Sequence, residues 1–309
     1  MELYWESALT LQVPASPGPT RAALDTRMAY DICARITRAA STNFYYGFQA
    51  LPRDKRNAIY AAYAFCRLCD DIVDEPSRKA TAAQELARLR LELAAAQRGQ
   101  VDGPVWTALA DSQRKYGIRQ EHLVDVVDGC EMDLTKASYA NFTELEGYCR
   151  RVASAAGLVV LEVCGYTNEK AVQHAIDLGI AMQITNIMRD LAEDTRNGRV
   201  YLPQDEMQRF GYSEADLMRN IVDDRFRGLM KFQTDRAKMY FESGEKLFPY
   251  LDRRSRTCAE TMARVYRMLL SKIESYGYDV FSRRVSLSKR EKLALATRLW
   301  LQSRLLAFA

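Results

Sequence analysis

Two stretches of the chain carry polar side chains of the types and at the spacings that binding chemistry requires. In QITNIMRDLAEDTRNGRVYLP, from Gln183 to Pro203, residues Gln183, Asn186, Asp190 and Asp194 follow one another at offsets of three, four and four. On a helix these offsets place all four on one face, with the two carboxylates about 6 Å apart along the axis. Their neighbours Ile180, Ala181, Ile184, Ile187, Met188 and Leu191 are apolar and suited to packing against other helices. A polar row among such residues needs hydrogen-bond partners or a cation if it points inward. A hard divalent ion would satisfy it.

The second stretch, YAFCRLCDDIVDE from Tyr63 to Glu75, repeats the pattern with Tyr63, Arg67, Asp70 and Asp74 at offsets of four, three and four. Two facing helices of this kind could hold bridging Mg²⁺ ions, leaving coordination positions for diphosphate oxygens and water. One such row would be weak evidence. The bland reading, solvated faces balanced by Arg53, Lys55 and Arg56, loses ground once both rows are counted together. Asp71 points roughly 100° away from Asp70 on a helix and is set apart from the primary ligands.

The elements that must position these rows read as helices throughout. A Pro- and Gly-rich opening, residues 1–20, has no periodicity and is expected to be an irregular arm. Helix is expected from Arg21 toward Ala40, from Pro52 to near Pro76, from Thr81 to Arg98, Pro104 to Tyr116, Arg119 to Leu134 and Asn141 to Leu161. After the organising helix, Asn197 and Gly198 end the pattern, and Arg199, Tyr201 and Pro203 form a turn that could close over the site. Long helices follow at Asp223 to Lys246, Arg253 to Tyr276 and Lys289 to Ala307. The small residues Ala153 to Gly157 would either leave room between helices or pack them closely. No alternating strands, Gly-rich nucleotide loop or short-period repeat is present. The expected fold is all-α, with residues 21–309 forming one domain around a central cavity.

The 309 residues carry a net charge of only +4, so no general attraction to nucleic acid follows. Seven cysteines, an odd number without a secreted-type framework, point to a reducing cytoplasm. Cys66 and Cys69 form a C-x-x-C inside a helical pattern with no partner pair, and read as packing residues. His122 and His174 are the only histidines, which disfavours histidine-based mechanisms. No signal peptide is visible, and the apolar run Val152 to Leu161 is too short to span a bilayer. An oily product could still bring the protein to a membrane surface.

With both rows in hand, the sequence resembles the squalene/phytoene synthase family of head-to-head prenyl diphosphate synthases. The resemblance runs from about Ile32 to Arg284 and is carried by STNF at 41–44, YAFCRLCDDIVDE, GCEMDL at 129–134, YCRRVASAAG at 148–157 and the Gln183–Pro203 stretch. It implies a helical isoprenoid-synthase bundle that joins two identical farnesyl or geranylgeranyl diphosphates through a cyclopropyl diphosphate, with two or three Mg²⁺ ions bridging the substrates. Position by position, it implies metal ligands at Asp70 and Asp74 and at Asn186, Asp190 and Asp194. Arg67, Gln183 and Arg189 would line the diphosphate site, joined by Ser41 and Arg283, while Asn43 departs from a common second hydroxyl; apart from the resemblance, the ring of Phe44 could share with Tyr63, Tyr148 and Tyr266 the stabilising of an allylic cation. Tyr63, Tyr148 and Tyr266 would lie near the reacting carbons.

Two rivals remain. DDIVD also satisfies the pattern of chain-lengthening prenyl transferases and terpene cyclases, although the second site lacks their repeated adjacent Asp pair. A non-catalytic binding or assembly member of the fold would be expected to lose some acids, and none of the five ligand residues is missing. Released diphosphate, a bound water and a tyrosine all remain open as the base. No NADPH motif is recognisable, so reduction to squalene is left open, as is oligomeric state. The DDIVDE wording and the RRVSLSKREKLALA ending resemble bacterial presqualene-diphosphate-forming relatives more than plant-type phytoene synthases.

Overall fold

The computed structural model describes residues 25–40, 45, 47–78, 80–288, 290, 291 and 294. The expected N-terminal arm, the start of the first helix at Arg21, the STNF segment and most of the closing helix from Lys289 lie outside them. Among the described residues the chain is helical, with one isolated parallel bridge between Ser138 and Val200. None of the described helices is long and apolar enough to cross a membrane.

Helix α1 spans Thr26–Ala40, α2 Arg53–Asp74, α3 Ala82–Gln97, α4 Pro104–Tyr116 and α5 Gln120–Thr135. Their limits follow local chemistry. In α4, Pro104 occupies the first turn, where its missing N–H costs nothing, and Gly117 ends the helix at φ 68°, returning its N–H to Gln113 O at 2.9 Å.

The stretch expected as one helix from Asn141 to Leu161 is interrupted. Asn141 caps α6, Phe142–Cys149, by accepting the Glu144 N–H at 3.1 Å. A π-helical turn, Arg150–Ser154, then precedes α7, Ala155–Cys164. Two glycines let this widened turn approach its neighbours. A Cβ on Gly179 would fall 2.7 Å from Ser154 Cα, and one on Gly129 would fall 2.6 Å from Val152 Cγ1. The Ser154 hydroxyl also donates to Ile176 O at 2.8 Å. Close packing is therefore what the small residues here provide.

Helix α8, Lys170–Arg196, is followed by two short helices, α9 (Gln204–Arg209) and α10 (Glu214–Met218), and by the long α11 (Asp224–Gly244) and α12 (Arg253–Ser275). Two hydrophobic cores form. One gathers residues of α1 to α5, and the other gathers residues of α8 to α12. Helix α7, AAGLVVLEVC, divides them. Leu158 and Leu161 belong to the second core, while Ala155, Val159 and Val163 belong to the first. Apart from Glu162, which pairs with Arg119, α7 is apolar and packs on both faces, so it becomes the wall on which α2 and α8 both pack.

Candidate active site

The first polar row lies along α2 and the second along α8, on either side of the α7 wall. Where the two helices end, Arg199 joins them. Its backbone N–H donates to Asp194 O at 2.9 Å, and its guanidinium reaches across to Asp74 Oδ1 at 3.0 Å and Val73 O at 3.4 Å. The loop between α5 and α6 fixes this turn from outside, with Ala137 O accepting the Val200 N–H and Tyr139 O the Gln204 N–H.

A third acid, Asp133 of α5, stands among the two rows. Its charge is felt by Asp70 on α2 and by Asp194 on α8, and Asp74 acts on it in turn. Asp133 accepts hydrogen bonds from Tyr201 at 2.7 Å and Tyr148 at 3.0 Å. The two hydroxyls are 3.3 Å apart and their rings stack with centroids 5.1 Å apart. Burial pushes the Asp133 carboxyl up against the opposing effects of Tyr201, Arg199 and Tyr148.

Proton affinity rises on both rows. Asp70 is pushed up to about 7 by burial, with Asp74, Asp71 and Asp133 adding to the shift and Arg67 opposing it. Asp194 is pushed up to about 8 by burial, with Asp190, Glu193 and Asp133 adding and Arg199 opposing. Burial is the larger cause of both shifts, and the neighbouring carboxylates add to it.

The arginines are already engaged with acids. Arg67 pairs with Asp71 and lies 3.8 Å from Asp70 Oδ2, so the acid set apart in the sequence is the guanidinium's nearer partner. Arg189 forks onto Asp190, with Nε to Oδ1 at 2.8 Å and Nη2 to Oδ2 at 2.5 Å. Arg53, Lys55 and Arg56 do not balance the α2 row. Lys55 pairs with Asp252 and Arg56 bonds Gln49.

Asn186 donates to Gln183 Oε1 at 3.3 Å and hydrogen-bonds the buried Tyr266. Its Oδ1 is buried and has no hydrogen-bond partner among the described residues, which leaves a strong acceptor on the row. Among the described residues no three Asp, Glu, His or Cys side chains are close enough to hold a metal by themselves. Each row instead offers a carboxylate pair four residues apart, with Asn186 Oδ1 added on α8. That donor set suits Mg²⁺, which takes one or two carboxylates and completes its shell with water and substrate phosphate.

The remaining expected residues divide. Tyr63 is half-buried on α2. Arg283 is exposed, with its guanidinium 4.6 Å from the Tyr276 ring centroid, and it makes no ion pair with the acid rows among the described residues. Ser41 and Phe44 lie outside the described residues. Cys69 is buried beside Cys130, whose thiol points at Asp70 Oδ1 at 3.8 Å. Sequence reasoning passed over Asp133 and Tyr201 as site residues, although Asp133 lies in GCEMDL and Tyr201 in the turn expected to close the site.

Paired acid rows, the arginines beside them and a cluster of tyrosines, all carried on helices, define a diphosphate-ester transferase of the helical class. The chain belongs to the squalene/phytoene synthase family, whose model matches residues 37–291. It is 36% identical to the 15-cis-phytoene synthase of Synechocystis sp. over 97% of this chain and 92% of that protein. It is 38% identical to the phytoene synthase of Mycobacterium tuberculosis over 88% of this chain and 90% of that protein. A solved dehydrosqualene synthase superposes with a TM-score of 0.82 at 29% identity, covering 90% of this chain and 98% of that one. The protein is a prenyltransferase of the squalene/phytoene synthase type that joins two prenyl diphosphates head to head.

Proposed function

We propose that the enzyme condenses two molecules of geranylgeranyl diphosphate into a phytoene-type hydrocarbon, with residues 21–309 acting as one catalytic unit. The observation that carries this reading is the Arg199–Asp74 contact, which holds the ends of the two acid rows together around Asp133. Identity to phytoene synthases of 36% and 38% supports the longer substrate.

Asp70 and Asp74 would form one side of the diphosphate site, and Asn186, Asp190 and Asp194 the other. Mg²⁺ bound there would act as a Lewis acid on the departing diphosphate. Arg67, Arg189 and Gln183 supply N–H donors, the two arginines exchanging a carboxylate partner for phosphate oxygens. Ser41 and Arg283 are assigned to phosphate by family resemblance, and Phe44 to the cation by its aromatic face.

Loss of diphosphate leaves an allylic cation, which the double bond of the second substrate attacks. The ring faces of Tyr63, Tyr148 and Tyr266 exclude water from the cation and stabilise it. Closing the cyclopropane requires loss of a proton from the first carbon of the first substrate, the carbon that has just lost its diphosphate, while the second substrate keeps its own. The Tyr148 hydroxyl takes that proton as it passes its own to Asp133. Loss of the second diphosphate, rearrangement and loss of a further proton give the conjugated product, and no reductant is consumed. NADPH therefore has no role in this reading. The oily product suits a cytoplasmic enzyme working at a membrane surface.

The test is incubation of the purified protein with Mg²⁺ and either geranylgeranyl or farnesyl diphosphate, with and without NADPH, with products identified by mass. A hydrocarbon of twice the geranylgeranyl chain, formed without NADPH, is expected. A squalene-type product that requires NADPH would overturn the reading, as would incorporation of added isopentenyl diphosphate.

A further inference from the structure

We infer that a pocket at the far end of α2 from the acid rows binds a phosphate group. The pocket, about 260 Å³, is walled by residues 49–52 and by Arg53, Arg56 and Arg254. Arg53 and Arg56 are one helical turn apart on α2 and so share a face, while Arg254 comes from the first turn of α12. Three arginines line one recess, and among the described residues its lining contains no carboxylate.

The nearest acids in sequence are engaged elsewhere. Asp54 pairs with Lys115 at 3.0 Å and Asp252 with Lys55 at 2.8 Å. Arg53 and Arg254 are exposed and form no ion pair among the described residues. Arg56 is held in place through its bond to Gln49 Oε1 at 3.0 Å, which preorganises one fork of donors. Arginines that line one recess without a carboxylate suit a phosphate group, which accepts paired N–H bonds from guanidinium forks. The α2 row cannot be its other wall, because Arg53 and Asp74 are 21 helical residues, roughly 30 Å, apart. This pocket is therefore distinct from the substrate diphosphate site, and the inference stands whatever prenyl chain that site takes.

The phosphate could be free inorganic phosphate or the headgroup of an anionic lipid, and one pair of measurements separates them. The intact protein and its Arg53→Gln/Arg254→Gln variant are titrated calorimetrically with inorganic phosphate, then sedimented with phosphatidylglycerol vesicles and with phosphatidylcholine vesicles. Both proteins keep the catalytic diphosphate site, so phosphate bound there cancels in the comparison. Neither substituted side chain has an acid partner to lose, and circular dichroism together with the single Arg254→Gln variant verifies that folding is unchanged. Loss of at least about tenfold in phosphate affinity in the variant supports the site with a free ligand. Equal phosphate affinity with phosphatidylglycerol binding lost only in the variant supports the site with a lipid headgroup. If the variant matches the intact protein in both measurements, the inference is overturned.

Discussion

Arg199 donates to Asp74 Oδ1 across 125 residues of sequence, and this one contact joins the ends of the two helices that carry the acid rows. Its backbone is anchored on Asp194 O of α8 while its guanidinium lies on α2. Arg199→Gln removes the cation but keeps a side chain able to hydrogen-bond. A fall in kcat of about 10²- to 10³-fold is expected, the order seen when one positioned donor is lost from a charged site, with the helical circular dichroism spectrum unchanged. An unaltered kcat would show that Arg199 serves only to tether the turn.

Asp133→Asn keeps the shape of the acceptor but removes the charge that would draw a proton through Tyr148. Turnover is expected to fall by about 10²- to 10⁴-fold, the usual worth of a positioned proton acceptor. Tyr148→Phe should match it closely, and Tyr201→Phe should cost less, because Tyr201 supports Asp133 without meeting substrate. Steady-state rates for the three variants check the order. Equal losses at Tyr148 and Tyr201 would contradict the relay.

The two glycines beside the π-turn predict opposite responses to rescue. Gly129→Ala drives a methyl into the Val152 side chain, at a cost of about 1–3 kcal/mol, and Val152→Ala should restore most of it. Gly179→Ala meets the backbone of Ser154, at 2.7 Å from Cα and 2.9 Å from N, so Ser154→Ala should not restore it. Denaturant melts of the single and double variants read this directly. Both single variants should also lower kcat, because the turn spaces α5, which carries Asp133, from α8.

Much of this arrangement could be read from sequence, for identifiable reasons. The rows were legible because an i, i+3, i+4 recurrence of polar residues among apolar ones has a single meaning on a helix, and α4 was legible because Pro104 and Gly117 mark its two ends. The π-turn was not legible, because CRRVASAAG reads as unbroken helix and the glycines that make room for it, Gly129 and Gly179, lie in other helices. Asp133 is a lone acid with no period of its own. Its partners, Tyr148 and Tyr201, are supplied by the tertiary fold. Arg199 was visible as part of a turn, but its partner Asp74 was not.

Acid lability is expected to come in part from Asp252, the cap of α12. Burial alone would raise its carboxyl, but bonds from Lys55 and Ser255 outweigh that and hold it down at about 2. A group depressed in the folded state stabilises above its unfolded value, near 4. That contribution is lost as pH falls from about 4 toward 2, because the unfolded chain then binds the proton more readily. With about half of the Asp252 side chain exposed, the charge contribution is no more than about 1 kcal/mol. Asp252→Asn retains the cap and should flatten the decline in stability between pH 4 and pH 2. A decline parallel to that of the unmodified protein would contradict the assignment.

The central claim, that the two acid rows serve one diphosphate site, is tested most directly by the turnover rates of Asp74→Asn, Asp190→Asn and the double variant under saturating Mg²⁺. Groups that act as a unit are strongly non-additive. Each single variant should abolish turnover while the helical spectrum is unchanged, and the double variant should lose little more. Near-normal Mg²⁺-dependent turnover in either single variant would contradict the claim.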